Sequence, residues 1–264
     1  MITKIADKKK LEALIRVWHS KRTQTNFLLS EEVYQKAAEE KRCSVLRFDK
    51  GCYLFFEQED HIDFYFFLEQ GTKPIPIPPL DKPLILEQVC LEKKGMEPKP
   101  SLWEAVGFSH YLERKRFMMP MAEAFVAKGE LPFATEAHAD EILQFMQKSF
   151  EPYTSALPTR EELLDSIYEK EVLVETEGEE LLGFLRFGWE KKNSILWQIA
   201  VKEKAKGKNI GNRLVQNWLW QVNADALRCQ LWVRTDNTVA LRMYEKIGFM
   251  PDGRVAPVMI KEKG

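Results

Sequence analysis

Two hydrophobic periods alternate along the chain. "KKLEALIRVWHS" (9–20) and "SEEVYQKAAEE" (30–40) repeat at helical spacing, and "CSVLRF" (43–48), "CYLFFEQ" (52–58), "DFYFFLEQ" (63–70) and "PLILEQVCL" (83–91) are short apolar runs of strand length. Consecutive aromatics Phe64, Tyr65, Phe66 and Phe67 predict a strand buried on both faces, against the other half of the chain. "GTKPIPIPPLDKP" (71–83) cannot be a helix or a central strand, because proline lacks the backbone donor. A joint is expected around Met121 to Pro132, where "KGELP" interrupts periodicity.

Beyond the joint the pattern is regular. "LPFATEA" (131–137) reads as a strand, and "DEILQFMQKSF" (140–150) as an amphipathic helix with Ile142, Phe145, Met146 and Phe150 on one face. Thr159 and Glu162 have the spacing of a capping box opening "REELLDSIYEK" (160–170). "VLVETEG" and "ELLGFLRFGWE" are strands around a Gly178 turn, and "SILWQIAV" (194–201) is a third. Ile210, Leu214, Val215, Trp218, Leu219 and Val222 then repeat at helical spacing. "RCQLWVRT" (228–235) is a strand, "NTVALRMYEKIGF" (237–249) a helix capped by Asn237 and stopped by Gly248, and "APVMIK" (256–261) a last strand.

Charge and composition narrow the chemistry. The 264 residues carry a net charge of -1, which gives no global pull toward nucleic acid or anionic lipid. No run of 18 apolar residues predicts a membrane span, and "MITKIADKKK" lacks the apolar core of a signal peptide. Cys43, Cys52, Cys90 and Cys229 show no metal or redox spacing, so no metal is expected and a reduced, cytoplasmic protein is. Any anion site must be local. The best one is "VKEKAKGKNIGNRL" (201–214), where a strand runs through lysines and two glycines into a helix. The first helical turn leaves backbone N–H groups unpaired, glycines allow close approach, and lysines add charge. The pattern is neither a Walker loop nor a Rossmann fingerprint.

In this context residues 131–264 resemble the GNAT superfamily of N-acetyltransferases. The family's pyrophosphate loop has the form Arg/Gln-x-x-Gly-x-Gly/Ala between a strand and a helix. Lys206 stands at the basic position, Asn209 at the first glycine and Gly211 at the last. "NTVALRMYEKIGF" looks like the second signature, an Asn that starts a helix whose Tyr points at the acetyl group. The resemblance implies acetyl-CoA as co-substrate, held by Ile199, Ala200 and Val201 of the strand, by Lys206, Gly207, Lys208, Asn209, Ile210, Gly211 and Asn212 of the turn, and by Asn237. It implies Tyr244 as the acid that protonates the leaving thiolate, and an amine acceptor. The strand "SILWQIAV" holds no Asp, Glu or His, which leaves Glu190 and His138 as weak candidates for the base.

The first half repeats the second signature. "SLWEAVGF" (101–108) matches "RMYEKIGF" (242–249), with Trp103 at the position of Tyr244. The order of helices and strands before it fits the same family, with the proline stretch where the phosphate loop and its helix belong. The expected fold is α+β: tandem GNAT-like domains, 1–125 degenerate and 126–264 active, each a mixed, mostly antiparallel central sheet flanked by helices. The expected function is transfer of acetyl to an amine. The alternative is a non-catalytic acyl-CoA-binding or sensing protein. No nucleic-acid or membrane partner is expected, and a homodimer is left open.

Overall fold

Asp7 accepts the N–H groups of Lys9 and Lys10 at 2.9 and 3.3 Å and so opens α1 (Lys8–His19). In this computed structural model, which describes residues 1–92, 102–123 and 130–264, the chain divides into two compact units. The first holds Met1–Glu113 and Val255–Gly264, the second Arg114–Arg254.

The first unit contains β1 (Thr3–Ile5), α1, β2 (Thr23–Thr25), α2 (Glu31–Glu39), β3 (Cys43–Phe48), β4 (Gly51–Glu57), β5 (Ile62–Glu69), β6 (Leu84–Glu87), β7 (Cys90–Leu91) and the start of β8 (Ser109–Pro120). Strands β1, β3, β4, β5 and β6 lie side by side in that order. Leu11, Ile15 and Trp18 of α1, with Tyr34, Ala37 and Ala38 of α2, cover one face at Cys52, Leu54, Phe56 and Phe67. The other face holds Tyr53, Phe55, Phe64 and Phe66 beneath Ile77, Trp103 and Phe108. Both faces of the aromatic strand are thus buried, and these covers come from its own unit rather than from the other half. The proline stretch is one of them: the Tyr53 hydroxyl accepts the Ile75 N–H at 2.7 Å and donates to the Ile75 carbonyl at 3.2 Å.

Strands β5 and β6 are parallel and pair only at Ile62↔Leu84 and Asp63↔Ile85. They then part, and the chain fills the gap itself. Strand β2 pairs with β5 from Thr23↔Glu69 to Thr25↔Phe67. Asn26, 5% exposed, follows directly. Its Oδ1 accepts the Phe66 N–H at 2.9 Å, and its Nδ2 donates to the carbonyls of Phe64 and Glu87 at 2.9 and 3.0 Å.

The second unit contains α3 (Ala139–Ser149), α4 (Arg160–Tyr168), β9 (Val172–Glu177), β10 (Glu180–Glu190), β11 (Asn193–Val201), α5 (Ile210–Val222), β12 (Arg228–Arg234), α6 (Thr238–Ile247) and the start of β13 (Met250–Lys261). Its sheet runs β8, β12, β11, β10, β9. Helices α3 and α4 cover one face at Val172, Val174 and Phe184, and α5 covers the other at Leu185, Phe187 and Leu231. The Thr159–Glu162 box and the Asn237 cap form as the sequence predicts. The two signature segments share one turn. Phe249 N–H reaches Tyr244 O at 3.0 Å past Gly248 at φ 113°, and Phe108 N–H reaches Trp103 O at 3.1 Å past Gly107 at φ 93°. Both turns need the left-handed backbone that glycine adopts without strain.

Three features differ from the sequence expectation. The expected boundary between 125 and 126 falls outside the described residues, and the first unit is not contiguous in sequence. Lys115 and Phe117 on β8 pair with Val233 and Leu231, while Val258 to Lys261 pair with Glu87 to Leu84. Strand β8 therefore begins in the first unit and ends in the second, and β13 does the reverse, which hydrophobic periodicity cannot reveal. "LPFATEA" forms only a single bridge, Phe133↔Leu173, because the chain turns at once into a short 3-10 turn at Glu136–His138. Strands β1 and β2 are too short for an alternation to register.

Asn26 predicts a stability effect. Asn26→Ala removes three hydrogen bonds to the backbone in a buried gap, which costs at least about 2 kcal/mol. A shift of the urea midpoint at constant slope measures it, and an unchanged midpoint contradicts the role given to the carboxamide.

Candidate functional site

The site begins with a parallel pair of strands that ends early. Strands β11 and β12 are in register from Asn193↔Arg228 to Leu196↔Leu231. Strand β11 continues to Val201 along β10, and β12 continues to Arg234 along β8, so the two diverge. Lys202 N–H donates to Leu182 O on the β10 side at 2.8 Å. Backbone direction alternates along a strand, so the N–H groups of Ile199 and Val201 face the opposite edge, into the fork. The register with β10 skips Trp197 between Leu196 and Gln198, a bulge that resets which side chains face which way. Beyond it, Ile199 and Val201 pack toward α5 and α6, and Ala200 toward α3 and α4. Ala200 therefore contributes main chain rather than an apolar contact on the α5 side.

The turn into α5 follows. Gly207 has φ 81° and Asn209 φ 61°, both left-handed, and asparagine tolerates this better than most residues. Lys206 N–H is used by Glu203 O at 3.1 Å and Lys208 N–H by Ala205 O at 3.3 Å. Ile210, Gly211 and Asn212 form the first turn of α5, whose N–H groups have no acceptor within the helix. A Cβ on Gly211 would lie 3.1 Å from Met243 Sδ, so this glycine lets α5 approach α6. Gly183 does the same toward the sheet: a Cβ there would lie 2.9 Å from Ala200 O and 3.1 Å from Ile210 Cγ2. Sequence reasoning missed Gly183, although a glycine inside a strand is a standing signal of close backbone approach.

Electrostatics differ from the expected bare positive turn. Lys202 pairs with Glu141 at 2.6 Å, Lys206 with Glu203 at 2.5 Å and Lys208 with Glu177 at 3.3 Å. Lys204 pairs with Glu180, and Arg213 with Glu175. Hydrogen bonds and charge from Lys204, with charge from Lys202, hold the Glu180 carboxyl below its ordinary range. Lys206 and Lys208 are exposed, and exposed pairs contribute only about 0.2–1 kcal/mol, so an incoming dianion can displace their partners.

Helix α6 meets this turn through Met243, whose Sδ lies 3.1 Å from where a Cβ on Gly211 would be, and Tyr244 is the next residue along it. Asn237 is committed to capping, accepting Ala240 N–H at 3.1 Å. Tyr244 is 3% exposed and meets Phe249 edge-on at 5.9 Å. Burial pushes its phenol above the ordinary value of 10, so it keeps its proton at neutral pH. The two candidate bases are not brought there. Glu190 pairs with Asn193 at the hairpin end of β10 and β11, the opposite end of the strand from Val201. His138 closes the cap of its own turn through Thr135, with Nδ1 3.0 Å from the Thr135 nitrogen.

The family model described as "Acetyltransferase (GNAT) family" matches residues 139–249. A mycothiol acetyltransferase of Corynebacterium efficiens is 38% identical over 86 residues, a stretch covering 31% of this chain and 28% of that protein. Among solved structures, a GCN5-related N-acetyltransferase from Sphaerobacter thermophilus aligns with TM-score 0.61 and 13% identity over 89% of this chain and 86% of that one. A GNAT-family acetyltransferase from Colwellia psychrerythraea aligns with TM-score 0.59 and 10% identity over 100% of both chains. A tandem GNAT protein from the clavulanic acid biosynthesis pathway gives TM-score 0.59 and 9% identity over 100% of this chain and 98% of that one. The structural neighbours share the fold, and the sequence match falls on the segment that carries the fork, the α5 turn and Tyr244: residues 139–249 form a domain of the acetyltransferase (GNAT) family.

Proposed function

We propose that the second unit binds acetyl-CoA and transfers its acetyl group to an amine, and that the first unit is a degenerate copy that binds none. The observation that carries this reading is the fork: only in the second unit do the strand edges part without a segment of the chain between them among the described residues. Acetyl-CoA would supply the acetyl group as a thioester, with coenzyme A as the thiol released. In this reading the Ile199 and Val201 N–H groups hold its amide-rich arm and carbonyl, and the first turn of α5 holds its pyrophosphate, helped by Lys206 and Lys208. Tyr244 is the proposed proton donor to the departing sulfur. A neutral phenol in an apolar site can donate, and positioned acids contribute roughly 10²–10⁴-fold. The sensing alternative keeps one observation in its favour, the pairing of each turn cation with a carboxylate.

Three outcomes are expected. Calorimetry should show acetyl-CoA affinity falling about three- to tenfold in Lys206→Ala, a charged hydrogen bond discounted for exposure. Gly183→Val should lose more, because it displaces the start of α5. Glu203→Gln should instead tighten binding by about twofold by releasing Lys206. Unchanged binding in all three removes the phosphate assignment.

The same titration should give one site per chain. In the first unit β2 and Asn26 fill the equivalent gap, and the proline stretch stands where a phosphate loop would be. A stoichiometry of two would show that the first unit binds as well.

Tyr244→Phe keeps the buried ring and removes only the oxygen. Thiol release with a panel of amines should fall at least about tenfold in both kcat and kcat/KM, with acetyl-CoA affinity nearly intact. Parental turnover would make Tyr244 a packing residue. Tight acetyl-CoA binding with no amine accepted by the parent protein would favour the sensor.

A further inference from the structure

Gln198 stands out among the buried polar groups that the proposed chemistry leaves unused. It is 2% exposed and directly precedes Ile199 on β11. Counting from the bulge, its side chain lies on the Ala200 face, away from α5. Its carboxamide is fully committed. Arg186 on β10 donates to Gln198 Oε1 at 3.2 Å, and Gln198 Nε2 donates to the carbonyls of Ser155 and Ala156 at 2.8 and 3.2 Å. Arg186 is in turn aimed by Ser166 Oγ of α4 at 3.0 Å, and Ser166 donates to Glu162 O at 3.0 Å.

The far end of this chain is the segment between α3 and α4. Its Ala156 has φ 43°, a left-handed conformation that a residue with a Cβ keeps only when its surroundings impose it. Here the donors fall on its own carbonyl and the one before it. Two further contacts fix the same segment. Arg114 of β8 donates to Thr154 O at 2.9 Å, and the Glu151 carboxylate accepts the N–H groups of Tyr153 and Thr154. A strained loop is thus tied to the residue adjoining the fork, on the face opposite the α5 turn.

Resting on the acetyltransferase reading, we propose that Gln198 is a positioning residue for the acceptor: it holds Tyr153–Ala156 as the wall against which the amine lies while the coenzyme occupies the α5 side. The chemistry explains the choice of glutamine. Arg186 requires an acceptor and the two loop carbonyls require a donor, and at this length only a carboxamide presents both. A glutamate would set a carboxylate against two carbonyl oxygens.

The test uses Gln198→Met, which keeps length and apolar bulk, and Gln198→Glu, which keeps the Arg186 partner and loses the donor. The amine is the member of a panel of amino acids, polyamines, amino sugars and short peptides that gives the wild-type protein its fastest thiol release. Both variants should bind acetyl-CoA within about twofold of wild type, with the amine KM raised about tenfold or more and kcat lowered less. Backbone hydrogen exchange over 153–156 should accelerate while α5 stays protected. An unchanged KM in a folded variant overturns the proposal, and so does a failure of both variants to fold, which would make Gln198 purely structural. A wild-type protein that binds acetyl-CoA but releases no thiol with any amine overturns the acetyltransferase reading itself and the proposal with it.

Discussion

A parallel strand pair that stops early leaves backbone donors facing a gap, and a buried donor must find a partner. Both units meet this constraint. In the first, β5 and β6 part after Asp63 and Ile85, and the gap is filled by β2 and the carboxamide of Asn26. In the second, β11 and β12 part after Leu196 and Leu231, and the N–H groups of Ile199 and Val201 are turned into the opening. An amide-bearing ligand is the natural complement of the second gap. The Asn26 side chain, an amide between diverging strands, shows on a small scale how such a gap is satisfied.

The same contrast extends to what covers each sheet. Helix α5 brings a first turn with spare N–H groups close to β11, because Gly183 and Gly211 carry no side chain where the backbones approach. In the first unit a proline-rich segment lies over the corresponding kind of surface, tied down by Tyr53, and it supplies no helix start. Trp103, at the signature position of Tyr244, packs at 4.6 Å on Phe66 and closes that core. Burial and the glycine cap are shared between the two segments, while only the second carries a hydroxyl, that of Tyr244, at this position.

Much of this is legible before any coordinates. Helical periodicity located the α5 stripe from Ile210 to Val222, and capping chemistry located Thr159 and Asn237. These are local rules, carried by residues within a turn of one another. The exchange of β8 and β13 between units was not legible, because strand partners are set by long-range pairing that leaves no local trace. The ion pairs of the α5 turn were hidden for the same reason: Glu141, Glu175, Glu177 and Glu180 come from α3, β9 and β10. Gln198 gave no signal either, since one glutamine in an apolar strand is unremarkable until its partners are known.

The central claim is that one fork is open and the other is filled from within. Backbone amide NMR of the intact chain during an acetyl-CoA titration tests it most directly, because it reads each fork separately. The account predicts large shifts at Ile199, Val201 and Ile210–Asn212, with Phe64, Phe66 and the Asn26 side-chain amide unmoved. Shifts at Phe66 and Asn26 of comparable size, or none at Ile199 and Val201, would contradict it.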